Sequence, residues 1–186
     1  MDQATLNEIL RKHRLWLKND PNGKRANLRH ADLADADLES TDLSYVNLAD
    51  ANLKSANLRY ANLVGAYLEN ANLADANLAD ANLKYANLED AILEDTYLAQ
   101  AISQNIVGQK VISVQVDTSR INNTISYWKD LGVWTTGCFQ GTLDELQEKV
   151  AETHKNNTFL REKYERVIKF ILSEADQDDK KPTSGN

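Results

Sequence analysis

Residues 26–100 read ANLRH ADLAD ADLES TDLSY VNLAD ANLKS ANLRY ANLVG AYLEN ANLAD ANLAD ANLKY ANLED AILED TYLAQ, fifteen blocks of five with no gap. Every block has leucine in third place, from Leu28 to Leu98, and twelve begin with alanine, the exceptions being Thr41, Val46 and Thr96. The second place is Asn or Asp in twelve blocks, while the last two places vary freely. A period of five fits neither common element. On an α-helix five residues advance about 500°, so successive leucines fall some 140° apart and wander around the cylinder. On a flat strand an odd period sends them to alternate faces. Alanine and leucine favour helix locally, but fifteen unbroken matches outweigh that propensity. The pattern suits a chain that turns a corner every five residues, with each leucine and the small residue two before it pointing inward.

The block resembles the pentapeptide-repeat family, whose pattern is A(D/N)LXX. That resemblance implies an all-β solenoid, a right-handed quadrilateral β-helix with four pentapeptides to a coil. Fifteen blocks then make just under four coils. Stacking at i+20 sorts the leucines into four columns: Leu28, Leu48, Leu68 and Leu88; Leu33, Leu53, Leu73 and Leu93; Leu38, Leu58, Leu78 and Leu98; and Leu43, Leu63 and Leu83. Alanine at the block start lets the walls approach, so the interior is expected to be dry, filled by side chains and without a ligand cavity. One solenoid can present many surfaces, so the resemblance speaks for fold far more than for function.

Composition bounds the rest. The 186 residues allow one or two domains, and the single Cys138 rules out an internal disulfide, which suits a reducing cytoplasm. No leader-like apolar run follows the N-terminal charges, and no stretch approaches the roughly 20 apolar residues of a membrane span. The net charge of −7 is uneven: residues 1–25 carry +3, the repeats −9 and the remainder −1. An acidic solenoid disfavours direct contact with nucleic acid or an anionic membrane.

Before the repeats, residues 5–18 read as an amphipathic helix with Thr5 and Glu8 as a capping box and Leu6, Ile9, Leu10, His13, Trp16 and Leu17 on one face. Asp20-Pro21-Asn22-Gly23 ends it as a turn. A solenoid's first coil exposes apolar interior and unpaired backbone, so residues 1–25 are expected to cap it. After Ala101 the register fails, with Ser103 where the next leucine should be. Residues 110–117 alternate as a strand, DTSRINN (117–123) reads as a loop, and Ile125–Trp128 and Val133–Thr136 read as two further strands around Lys129–Gly132. Trp128 and Trp134 serve there as core or interface aromatics. Thr142 with Glu145 is a second capping box, opening a helix; another runs from Thr158 to Glu174. The expected organisation is thus a capping segment 1–25, a solenoid 26–100, a small α+β module 101–174 and a disordered tail 175–186. The C-terminal module resembles one appended to some bacterial and bacteriophage pentapeptide-repeat proteins.

Chemistry finds little support. Cys138 and His154 form the only nucleophile pair worth naming, without an orienting motif; a Cys between glycines reads first as a small buried residue at a strand end. His13, His30 and His154 are scattered without ligand spacing, and no Gly-rich phosphate loop appears, so neither a metal nor a cofactor is expected. Departures from the repeat say more. Tyr45, Tyr60 and Tyr85 occupy fifth places, with Gly65 between Tyr45 and Tyr85 in the stack and Val64 beside it. Tyr45, Tyr60, Val64 and Tyr85 are the candidate partner-binding patch, tyrosine being favoured at hot spots; isolated surface aromatics are the ordinary alternative. Ile92 and Tyr97, in the last coil, are expected to be buried beneath the C-terminal module.

Two function classes emerge. One is a non-catalytic protein-binding scaffold, with a homodimer left open; the other, implied by the resemblance, is an acidic DNA mimic occupying the DNA site of an enzyme such as gyrase. Height weighs against the second: just under four coils at about 4.8 Å each give ~18 Å, or about five base pairs of duplex.

Overall fold

Every leucine from Leu28 to Leu98 is 0–4% exposed in the computed structural model of the chain, which describes residues 1–116 and 124–178. The third place is therefore the core of the solenoid. Each buried leucine removes enough apolar surface from water to contribute about 2 kcal/mol. The second-place residues pair in parallel with those twenty positions on, as in Asn27↔Asn47, Asp32↔Asn52, Asp37↔Asn57 and Asp42↔Asn62. These bridges carry the stack: Leu63 N donates to Asn82 O at 2.8 Å, and Asn82 N donates to Ala61 O at 2.9 Å. The result is a right-handed β-helix with four walls. Face 1 holds residues 26–30 and their i+20 successors, face 2 starts from 31–35, face 3 from 36–40 and face 4 from 41–45.

The polar second place has a local cause. In all twelve blocks with Asn or Asp there, the side-chain oxygen accepts a hydrogen bond from the amide two residues on, at 3.0–3.4 Å. This Asx turn satisfies a fourth-place amide that the ladder does not use. Neighbouring coils are also cross-linked, Asn52 and Asn57 donating through Nδ2 to Asp32 and Asp37 at 2.9 and 3.1 Å.

The fifth place does not vary freely. Its residues from His30 to Asn105 have φ between 53° and 62° in every repeat, which makes the corner. Asp, Asn, Ser or Gly fills ten of the fifteen fifth places because those residues tolerate the left-handed region best.

The winding also continues past 100. Asn82 bridges Ile102, and Asn87 bridges Val107. Ser103 takes the inward third place and is 9% exposed. Leucine is not needed for the backbone ladder: Val107 N still donates to Ala86 O at 3.0 Å, and Leu88 N to Val107 O at 2.9 Å. Gly108 ends the climb where a Cβ would lie 2.3 Å from Glu89 N. The boundary expected after residue 100 thus moves to 109/110, where the chain divides into two compact units.

Within the first unit, α1 spans Gln3–Leu17. Its N-cap is Asp2 rather than Thr5: Asp2 accepts from Thr5 N at 2.9 Å and from the Thr5 hydroxyl at 2.7 Å. A carboxylate just upstream takes the cap, and Glu8 instead pairs with Arg11 at 2.7 Å, which holds its carboxyl down at about 2. The expected apolar face is the one that packs, with Leu6 and His13 buried and Ile9, Leu10, Trp16 and Leu17 half-buried. His13 is the junction with the first coil. Its Nδ1 accepts from Ala26 N at 3.3 Å, and its ring stacks on Trp16. Burial lowers the His13 imidazole below its ordinary range, and Arg25 adds to this, while Asp42 and the Ser44 carbonyl oppose it. Among the described residues Nε2 meets no acceptor in good hydrogen-bond geometry. The N-terminal ammonium also donates to Asp32 O at 2.8 Å, satisfying an edge carbonyl of the first coil.

The second unit is a four-stranded antiparallel sheet in the order β1 (Val111–Gln115), β2 (Thr124–Trp128), β3 (Val133–Thr136) and β4 (Phe139–Gly141), followed by α2 (Leu143–Thr153) and α3 (Thr158–Asp178). Strand β4 falls in the GCFQGT stretch, where alternation is too short to read. The Thr142–Glu145 capping box makes both its bonds. Val116, Ile125, Trp134, Leu146, Val150, Tyr164, Ile168 and Ile171 form the core, with Tyr127 stacked on Trp134 at 4.5 Å. Trp128 is buried. Helix α3 runs through residues 175–178, expected as tail; the expectations for 117–123 and 179–186 lie outside the described residues.

Candidate interaction surface

The i+20 register brings Tyr45, Val64 and Tyr85 to one wall and Tyr60 to its edge. Tyr45, Gly65 and Tyr85 succeed one another at the corner between faces 4 and 1, Tyr60 stands at the corner between faces 3 and 4, and Val64 lies on the rung between them. Tyr45, Tyr60 and Tyr85 are 47%, 48% and 61% exposed. Two of the rings are held in place. Tyr45 lies across Gly65, where a Cβ would come within 2.7 Å of the ring, and Trp16 of α1 meets it edge-on at 6.5 Å. Arg59 donates to the Tyr60 hydroxyl at 2.8 Å, with its guanidinium carbon 4.6 Å from the ring centre. Tyr85 makes no such contact among the described residues.

Sequence reasoning missed three members of this wall. Ile102 is 40% exposed at the second place of the next rung, a position visible only if the register is carried past Ser103. Lys84 stands on the same face beside Tyr85. Trp16 supports Tyr45 through a contact that no repeat pattern encodes. Ile92 and Tyr97 are corrected: they are 50% and 40% exposed, because the second place points outward even in the upper coil.

Cys138 is exposed in the turn between β3 and β4, not buried at a strand end. His154 is the C-cap of α2, and its ring stacks on Tyr164 at 5.1 Å. Among the described residues no group of three or more His, Cys, Asp or Glu is placed to hold a metal ion, and no helix is long and apolar enough to cross a membrane.

Against known proteins, the family model for pentapeptide repeats matches residues 24–59 and 61–100 in eight copies. A pentapeptide-repeat protein from Nostoc PCC 7120 of known structure is 36% identical over 53% of this chain and 73% of its own, with a TM-score of 0.46. The chain belongs to the pentapeptide-repeat family. The pentapeptide-repeat protein Rfr23 from the cyanobacterium Cyanothece 51142 is 46% identical over 44% of this chain and 56% of its own, with a TM-score of 0.43. HetL from Nostoc sp. strain PCC 7120, a pentapeptide-repeat protein involved in heterocyst differentiation regulation, is 37% identical over 44% of this chain and 35% of its own, TM-score 0.36. The chain thus spans about half of the Cyanothece protein and a third of HetL. No curated protein sequence matches.

Proposed function

We propose that the chain is a non-catalytic scaffold that binds a protein through face 4 of its solenoid. Residues 1–25 cap the first coil, and the unit from Lys110 is an appended module. The observation that carries the reading is the placement of Tyr45, Tyr60, Val64 and Tyr85 on or beside one wall, two of the rings already seated. Seated aromatics lose little side-chain freedom on binding, which favours them as anchors. The rungs from Asn27 to Val107 climb four times, about 19 Å, which imitates fewer than six base pairs and disfavours DNA mimicry.

The test is affinity capture from host lysate by the full chain, side by side with the Tyr45→Ala/Tyr60→Ala/Tyr85→Ala variant. A protein retained by the parent and lost by the variant supports the reading, and its retention should depend only modestly on salt. Stoichiometric inhibition of gyrase supercoiling, relieved by added duplex DNA, would overturn it in favour of mimicry.

A further inference from the structure

The acidity of the solenoid spares one wall. Face 2 carries Asp32, Asp35, Asp75, Glu94 and Asp95 against Lys54; face 1 carries Asp50, Glu69, Glu89 and Asp90 against Arg29. Face 3 has Asp37, Glu39 and Asp80 against Arg59. Face 4, opposite face 2, has only Asp42 and Lys84 and is neutral. Asp42 is occupied: its Oδ1 accepts from Ser44 N at 3.1 Å, the Ser44 hydroxyl at 2.6 Å and Asn62 Nδ2 at 3.1 Å.

The repeat-block cations follow a rule that Lys84 breaks. Arg29, Lys54 and Arg59 each pair with the carboxylate twenty-one positions on, reaching Asp50, Asp75 and Asp80 at 3.0, 3.7 and 3.8 Å. The equivalent position for Lys84 is Asn105, so among the described residues Lys84 has no ion pair. An unpaired cation thus stands on the one neutral wall, flanked by Tyr85 and Val64.

Rung spacing selects what can lie there. Coils rise about 4.8 Å, so Tyr45, Val64, Tyr85 and Ile102, one per rung, climb the axis by that step, the first three at the fourth and fifth places and Ile102 across the face at the second. An α-helix laid along the solenoid axis offers an apolar side chain every ~5.4 Å, which leaves a mismatch under ~2 Å over four rungs. An extended strand in the same direction offers one every ~6.8 Å and falls out of step by the second rung. A face is about three extended residues wide, roughly 10 Å, close to a helix diameter. We infer that face 4 docks an amphipathic α-helix of a partner protein along the solenoid axis, its apolar stripe on Tyr45, Val64, Tyr85 and Ile102 and a carboxylate on its flank meeting Lys84. This rests on face 4 being the binding wall.

The experiment uses the full chain and two synthetic helical peptides of about 15 residues. Both carry apolar residues at i, i+4, i+7 and i+11; one has Glu and the other Lys at the positions flanking the stripe. Binding is read by fluorescence anisotropy. The Glu peptide should bind roughly tenfold tighter than the Lys peptide, Lys84→Glu should invert that order, and Tyr85→Ala should weaken both. Equal binding of the two peptides, unmoved by Lys84→Glu but weakened by Tyr85→Ala, overturns the carboxylate-bearing helix while sparing face 4. Binding that Tyr85→Ala leaves untouched places the contact elsewhere and overturns both readings. No binding of either peptide up to about 1 mM overturns the helix inference, and the lysate comparison then judges the face by itself.

Discussion

Gly65→Ala is the sharpest probe of the tyrosine wall. The added Cβ meets two separate costs. The backbone at residue 65 sits at φ 62°, which an L-residue adopts at a cost of about 1–2 kcal/mol relative to glycine. Tyr45 and Tyr85 hold the same corner at φ 61° and 60°, so the corner survives with a side chain in place. The second cost is the Tyr45 ring, whose Cε1 and Cδ1 lie 2.7 and 2.8 Å from the new Cβ. Carbon atoms prefer about 3.5–4.0 Å, so the ring must swing out by roughly 1 Å or more. That costs it packing and part of its edge contact with Trp16, about 1 kcal/mol. The single variant should therefore lose about 2–3 kcal/mol of solenoid stability in urea unfolding. In a Tyr45→Ala background only the backbone cost remains, so the double variant should be more stable than additivity requires, by about 1 kcal/mol. A coupling below about 0.3 kcal/mol would refute the seat of Tyr45 on Gly65.

Other expectations come from the same packing. Leu63, fully buried on face 4, replaced by lysine places an unpaired charge in the core; the solenoid should fail to fold, whereas exposed Lys54→Glu should shift stability by about 0.5 kcal/mol or less, and equal thermal shifts would refute the inward leucines. His13 gives a pH dependence of definite sign. Its folded pKa is lowered, so below the ordinary value of 6.5 the unfolded chain binds more protons and stability falls as pH falls from there toward the folded pKa. Protonating Nδ1 also removes the acceptor for Ala26 N. NMR titration of the His13 ring should give a midpoint below 6.5, and a value at or above it would refute the buried junction.

The leucine register could be read from sequence because hydrophobic burial repeats where the chain repeats. The corner could not, since φ is a backbone property; its trace was the excess of Asp, Asn, Ser and Gly at the fifth place, which looks like free variation unless a left-handed residue is already expected there. The end of the solenoid was misplaced because Ser103 broke the apolar signal while the hydrogen-bond ladder ran on. Asp2 displaced Thr5 as N-cap because both are good caps and only the chain path chooses. Tyr45, Tyr60, Val64 and Tyr85 could be gathered by counting in twenties. Trp16 could not: its contact with Tyr45 depends on how α1 crosses the first coil. That Lys84 has no ion pair among the described residues stands out only beside the i+21 pairs of the other cations.

Four five-residue sides make one circuit, so direction around the axis is set by sequence number in cycles of twenty. A loss of one pentapeptide, such as 71–75, leaves the leucine spacing intact and asks nothing new of the core. It nevertheless turns everything downstream by a quarter circuit, and Tyr85 would then stand above Tyr60 instead of Gly65. A loss of twenty residues shortens the solenoid without turning it. Selection for folding alone accepts length changes in fives, while selection for a binding wall accepts them only in twenties. The lineage of this chain should therefore carry its function in the remainder left when repeat-length differences are divided by twenty.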